Sequence, residues 1–274
     1  MRLRPYQKKL VDDARSAYMD GYQAPCVVSP CGSGKSVVIA KIAKLTTDKG
    51  GRVLFLVHRR ELRDQIRATF EKNGVDMSLT EVGMVQTIVR RLDKTPEPSL
   101  IITDEGHHSA ANSYRKIYDY FSNAYRLGFT ATPVRLGGKG LGDVYDKLVE
   151  GPDVPWLIKN GFLAPYDIYA PPVAINRKQL KKSHGEFSVK SIESNWDRAI
   201  YGDVIRHYRK YADGAKAIAY LPSVKLSKET ASMFNAEGIP AAHIDGKTPK
   251  AERNRIINDF REGRILILCN VDIV

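Results

Sequence analysis

The chain has 274 residues, 43% hydrophobic and 27% charged, with 43 Lys+Arg against 31 Asp+Glu for a formal net charge of +12. The apolar share excludes wholesale disorder, and the length fits two domains at ~100–200 residues each. The basic excess points to a polyanionic partner, nucleic acid ahead of an acidic membrane surface, while no apolar run approaches the ~18–20 residues that span a bilayer. In chain order, Leu10, Val11, Ala14, Ala17 and Tyr18 recur at helical spacing after Pro5. Cys26-Val27-Val28-Ser29 reads as a buried strand that runs into a glycine-rich turn. A helix follows from Lys35, with Val38, Ile42 and Leu45 on one face, and Gly50-Gly51 ends it. Arg52 to Val57 is the next strand. Leu62, Ile66 and Phe70 mark a helix, Leu100-Ile101-Ile102 a third strand and Tyr125 to Thr130 a fourth. Alternation of short apolar runs with helices predicts an α/β parallel sheet.

From about Arg135 to Ser188 the alternation breaks. Gly137 to Gly140 reads as a flexible loop, five prolines punctuate the stretch, and Arg177 to His184 is basic. A second α/β pattern follows. Ile200, Val204, Ile205 and Tyr208 predict a helix, Ala217 to Tyr220 a strand, and Leu226, Thr230, Met233 and Phe234 a helix closed by Gly238. Ala241 to Ile244 is a strand. Thr248 is expected to cap a helix with Pro249 at its first position and Ile256, Ile257 and Phe260 inside it, and Ile265 to Leu268 is the last strand. The expected division is residues 1–150 as a first lobe, 151–198 as a connection and 199–274 as a second lobe. The three cysteines, Cys26, Cys31 and Cys269, form no Cys-x-x-Cys pair. They read as reduced thiols of a cytoplasmic protein rather than a disulfide framework or a zinc site, and the first residues lack the apolar segment of a signal peptide.

The strongest chemical signal is Ser29-Pro30-Cys31-Gly32-Ser33-Gly34-Lys35-Ser36. It matches the phosphate-binding pattern G-x-x-x-x-G-K-[ST] between a strand and a helix, with Ser29 in place of the first glycine. Gly32 and Gly34 free the backbone N–H groups to turn toward phosphate oxygens, and the helix N-terminus adds positive charge. Lys35 is expected on the terminal phosphates of ATP and the Ser36 hydroxyl on Mg²⁺. Leu100-Ile101-Ile102-Thr103 then ends in Asp104-Glu105. An apolar strand closing in carboxylates puts them where ligands bind in an open α/β sheet. Asp104 is expected to complete the Mg²⁺ shell and Glu105 to act as general base on the attacking water. His107 and His108 lack metal-ligand spacing to any partner.

Four motifs in order, Leu3-Arg4-Pro5-Tyr6-Gln7, Ser29 to Ser36, Asp104-Glu105-Gly106-His107 and Thr130-Ala131-Thr132-Pro133, make the chain resemble the superfamily 2 helicases and translocases of the DEAH/DExH group, and within it the RadD-like bacterial and phage members. The resemblance covers nearly the whole chain. It implies two RecA-like lobes, each a parallel sheet flanked by helices, the second incomplete. It also implies ATP with Mg²⁺ as cofactors, and hydrolysis coupled to remodelling of nucleic acid, DNA by preference. Gln7 then resembles the adenine-reading glutamine, with Arg4 beside it, and Gly32, Ser33, Gly34, Lys35 and Ser36 the phosphate loop. His107, Thr130 and Thr132 resemble residues that couple nucleotide state to movement. Arg59 and Arg60, in Val57-His58-Arg59-Arg60-Glu61-Leu62, and Gln86 and Thr87 resemble contacts to the nucleic-acid backbone. The Ala217 to Ser223 strand and the Asp245-Gly246 turn resemble the opening of the second lobe.

In the family the last strand leads on to a motif contacting nucleic acid and ATP, and a later helix supplies an arginine finger. Neither lies within the 274 residues. Three explanations stand: a fragment of a longer protein, a gene that ends here, or a second polypeptide that completes the lobe. Beside the motor stand two alternatives, a non-motor module whose grip on nucleic acid is gated by ATP, or one half of a split helicase. A small-molecule kinase lacks an evident acceptor site.

Overall fold

A computed structural model describes residues 3–58, 60–133, 140–169, 182–183, 186–194 and 198–271. The chain divides into two compact units, Met1–Asp167 and Ile168–Val274. In the first, α1 (Pro5–Met19), β1 (Pro25–Val28), α2 (Lys35–Thr47), β2 (Val53–Val57), α3 (Arg60–Lys72), β3 (Thr80–Met84), α4 (Val85–Val89), β4 (Leu100–Thr103), α5 (Asn112–Tyr120), β5 (Tyr125–Thr130), β6 (Lys147–Glu150) and α6 (Val154–Lys159) follow one another. Its strands form one parallel sheet in the order β3-β2-β4-β5-β1-β6. Central parallel strands are covered on both faces, so β2 is an unbroken apolar run. Successive side chains alternate between two cores. Val53, Phe55 and Val57 of β2 pack with α1, α2 and α3, while Leu54 and Leu56 pack with α4 and α5.

Two strands of this sheet, β3 and β6, lie outside the apolar runs the sequence displays. Each has a charged or glycine residue among its members, and each sits at a sheet edge where one side needs no cover. Residues 151–167, expected as connection, pack in the first unit instead. Asp153 caps α6 by accepting from the Trp156 N–H at 2.8 Å, and Leu157 is fully buried in the core. Leu45, expected inward, is exposed. No helix among the described residues is long and apolar enough to cross a membrane.

The second unit holds a short antiparallel pair, β7 (Lys182–Ser183) with β8 (Glu186–Phe187), then α7 (Val189–Ser194) and α8 (Arg198–Ala212). It continues through β9 (Ala217–Tyr220), α9 (Val224–Ala236), β10 (Ala241–Ile244), α10 (Lys250–Arg261) and β11 (Ile267–Asn270). The sheet is parallel in the order β10-β11-β9. Ile205 and Tyr208 of α8 and Ala231 and Phe234 of α9 fill one core, and Ile256 of α10 packs with Ile244 and Leu268 in another. Ser223 caps α9 through the Leu226 N–H, and Gly238 ends it at φ +76°.

Three expectations need correction here. Thr248 does not cap α10; Pro249 holds that position, and the Thr248 hydroxyl accepts from the Asp245 N–H at 2.9 Å, closing the turn. The last strand begins two residues late because the Ile265 N–H is held by the Asp259 carbonyl. Met233 and Val204 are exposed. Most of the Gly137 to Gly140 loop and of the basic Arg177 to His184 stretch lies outside the described residues.

Candidate nucleotide site

Parallel strands all finish at the same sheet edge, and β1, β5 and β4 are neighbours. Strands ~4.8 Å apart place the ends of β1 and β4 about 10 Å from each other, room for a phosphate and a cation between them. The segments leaving those ends are Ser29 to Gly34, Asp104 to His108 and Ala131 to Pro133.

The first segment is braced from inside. Ser29 and Ser33 are buried, the Ser29 Oγ donates to the Ser33 Oγ at 2.8 Å, and the Ser33 Oγ donates to the Pro30 carbonyl at 2.7 Å. Ser29, the departure from the glycine pattern, thus supplies a hydroxyl to the loop's interior. The Ser33 carbonyl accepts from the Tyr6 hydroxyl at 2.6 Å and from the Gln7 Nε2 at 3.0 Å. The Gln7 Oε1 in turn accepts from the Arg4 N–H at 3.0 Å. Gln7 therefore ties the start of α1 to the loop. Gly32 and Gly34 stand at φ +78° and +83°, and a Cβ at Gly34 would fall 2.5 Å from the Gln7 amide nitrogen. The Lys35 ammonium donates to the Ser29 carbonyl at 3.1 Å, across the mouth of the loop. Ser36 is exposed on the first turn of α2.

At the end of β4 the chain turns sharply. Glu105 sits at φ 53° and ψ 52°, the one non-glycine at positive φ among the described residues. Such a conformation costs on the order of 1 kcal/mol, and it marks sites where the surrounding structure holds the backbone in place. The Glu105 N–H donates to the Asp104 carboxylate at 3.0 Å. The His107 Nδ1 lies 3.4 Å from the Glu105 carboxylate and 3.3 Å from the Thr130 hydroxyl. Thr130 spends its own proton on the Thr132 carbonyl at 2.9 Å and accepts from the Thr132 N–H at 3.1 Å. It is left to accept from His107, which assigns the Nδ1–H tautomer to that ring. Glu105, His107, Thr130 and Thr132 are thus one connected set across the ends of β4 and β5.

Burial pushes the Asp104 carboxyl above the ordinary carboxylate range, against the Glu105 N–H that stabilises its charge; the Glu105 charge adds to the rise, and Lys35 and His58 oppose it. A carboxyl that holds its proton more tightly when folded weakens the fold as pH rises past its unfolded value. Asp104→Asn is therefore expected to raise the thermal midpoint at neutral pH without divalent metal. The gain should shrink as pH falls below the ordinary carboxylate range, where both states are protonated. Equal midpoints at neutral pH would show that Lys35 and His58 already cancel the burial cost.

Asp104 and the Ser36 hydroxyl are hard oxygen donors, which suits Mg²⁺; that ion takes one or two protein ligands and completes its shell from phosphates and water. No group of three or more His, Cys, Asp or Glu arranged to hold a metal occurs among the described residues. The His108 ring lies tilted against His107 and edge-on to His58, with ring centroids at 4.2 and 5.2 Å.

Of the remaining expected residues, Arg60, Gln86 and Thr87 follow strands at the same sheet edge. Arg60 begins α3 directly after β2, and Gln86 and Thr87 are exposed on α4 while Val85 and Ile88 are buried. Arg59 lies outside the described residues. The sequence reading missed an aromatic cluster beside the phosphate loop. Phe162 packs 5.0 Å from Tyr6 and 5.9 Å from Trp156, and the Arg4 guanidinium lies 5.0 Å above its ring. Leu163 fills the space that a Cβ at Gly32 would need. The signal was present as Trp156, Phe162 and Leu163 within a proline-punctuated stretch.

Residues 1–94 and 80–135 match the family model described as Type III restriction enzyme, res subunit, and residues 200–274 match the Helicase conserved C-terminal domain. A 51.5 kDa protein of a Lactococcus phage (isolate 7-9) is 50% identical over 248 residues, 90% of this chain and 55% of its own length. The protein named "Putative ATP-dependent helicase IRC3" of Saccharomyces cerevisiae is 27% identical over 305 residues, 99% of this chain and 44% of its own. The chain thus spans about half the length of the curated relatives it matches. The crystal structure of the Pyrococcus furiosus Hef helicase domain aligns with a TM-score of 0.54 at 15% identity, over 98% of this chain and 85% of that one, a likeness of fold.

Proposed function

The chain belongs to the superfamily 2 helicases of the DExH type, and from that membership we propose that it binds ATP with Mg²⁺ and hydrolyses it in response to nucleic acid, as part of a helicase or translocase. One observation carries the proposal. The ends of β1, β4 and β5 bring Lys35, Asp104 with Glu105, and Thr130 with His107 to one sheet edge. Lys35 and the loop N–H groups hold the phosphates, with Gln7 and Arg4 toward the base. Ser36 and Asp104 hold Mg²⁺, which neutralises charge on the phosphates when bound. Glu105 accepts the proton of the attacking water. His107 keeps Glu105 in register with Thr130 and Thr132. Arg59, Arg60, Gln86 and Thr87 meet the nucleic-acid backbone, and the net charge of +12 suits a polyanion. DNA is the preferred strand on the resemblance to DNA-repair members, and the three free thiols suit the cytoplasm.

The test is steady-state ATP hydrolysis with and without single-stranded, double-stranded and forked DNA, and with RNA. Wild type should be stimulated, DNA above RNA. Lys35→Ala should lose at least ~100-fold in turnover, the scale of removing one cation or donor from developing charge. ATP binding without turnover on any nucleic acid would overturn the motor reading in favour of a nucleotide-gated binding module.

A further inference from the structure

A set of buried hydroxyls lies behind the nucleotide site, and the hydrolysis scheme above uses none of it. Thr103, Gly128 and Cys26 share one rung across β4, β5 and β1. The middle of that rung has no side chain, and the ring of Tyr145 fills the space: a Cβ at Gly128 would lie 2.4 Å from the Tyr145 Cζ. The ring carries its hydroxyl beneath the acidic turn. A Cβ at Gly106 would lie 3.1 Å from the Tyr145 oxygen and 3.3 Å from the Phe129 carbonyl. That oxygen lies 2.5 Å from the Ser109 Oγ, and the Thr103 Oγ1 lies 2.8 Å from the hydroxyl of Tyr118 on α5. The two tyrosine hydroxyls also interact with each other, and burial keeps both phenols protonated. Thr103 directly precedes Asp104, Ser109 directly follows His108, and Gly128 stands two residues before Thr130. The hydroxyl set therefore grips the turn at both ends and meets the strand that carries its partner threonine.

We propose that Tyr145 is a positioning residue: through Ser109 and Tyr118 it fixes the Asp104 to His108 turn against the end of β5, and so sets the reach of Glu105 and His107 during nucleotide hydrolysis. The proposal rests on the hydrolysis reading. It also gives glycine at position 106 a role, since a Cβ there would press on the phenol oxygen from 3.1 Å. The acidic turn and Tyr145 are read as one fitted part.

The test is a double-mutant cycle on Tyr145→Phe and Gly106→Ala, with kcat, KM for ATP and thermal midpoint measured for each protein. Tyr145→Phe keeps the ring in its trough and should lower kcat about five- to tenfold, the scale of one lost hydrogen bond, with KM within about twofold. Gly106→Ala should also lower kcat, and should cost clearly less when combined with Tyr145→Phe, because the oxygen its methyl meets is gone. Wild-type kcat in Tyr145→Phe, or a cycle in which the two effects simply add, overturns the proposal. So does a fall in kcat matched by an equal fall in folded fraction. Should Tyr145→Phe not fold, Ser109→Ala removes the same hydrogen bond from its other partner and carries the same expectation. A wild type without turnover would sink the hydrolysis reading, and amide exchange then judges the positioning role by itself. Residues 104–109 should exchange about five- to tenfold faster in Tyr145→Phe, and unchanged exchange overturns it.

Discussion

Glu105→Gln is expected to lower ATP turnover by ~10²–10⁴-fold while ATP affinity stays within a few-fold of wild type. Glutamine keeps the length and branching of the side chain and tolerates the same left-handed backbone at φ 53°. Its amide oxygen can still accept from the His107 Nδ1, which lies 3.4 Å from the carboxylate in the native protein. What it cannot do is take a proton from water at neutral pH. Steady-state kinetics beside equilibrium binding of ATP separate the two outcomes. Turnover lost at preserved affinity identifies Glu105 as the base. Turnover and affinity lost together would mean that the carboxylate holds the turn and that the proton goes elsewhere.

The largest stability effect is expected from Gly128→Ala, a loss of ~3 kcal/mol, at the upper end for overpacking a dense core. The new methyl would stand 2.4, 2.6 and 2.7 Å from the Cζ, Cε1 and hydroxyl of Tyr145. A phenol ring has no flexible end to withdraw, and this one is buried between the sheet and the acidic turn. Relief requires moving the ring or β5, and either breaks the hydroxyl set. Gly142→Ala is the control, since no atom stands within 4 Å of its Cβ position; it should change stability by no more than ~0.5 kcal/mol. Urea unfolding of the two variants reads the contrast, and similar midpoints would show that Tyr145 moves more freely than its burial implies.

The segments of the candidate site were more legible in the sequence than the strands that carry them. The phosphate loop and the acidic pair depend on short-range geometry, a strand end followed by glycines or carboxylates, and such geometry is written in adjacent residues. The central strands β1, β2, β4 and β5 are covered on both faces, so they stand out as apolar runs. The edge strands β3 and β6 are not, and Thr80-Glu81-Val82-Gly83-Met84 and Lys147-Leu148-Val149-Glu150 look like ordinary polar chain. The expected lobe boundary at residue 150 coincides with the end of β6 and leaves out α6 and Phe162, which pack back beside the phosphate loop. The service of Ser29 and Ser33 inside that loop, and the seat of Tyr145 over Gly128, depend on contacts between residues distant in sequence or on which way a side chain turns, and no pattern of spacing encodes them.

The phosphate loop has one more consequence, for how the protein can be handled. Cys26 and Cys269 are buried, and burial pushes both thiols up to about 12, whereas Cys31 is exposed at the tip of the loop. Thiol-directed reagents will therefore sort the three by access and reach Cys31 first. The native chain already carries an address for a fluorophore or spin label beside the candidate nucleotide site, with no engineered attachment point. The same exposure makes it a place where oxidants reach the loop before they reach the core.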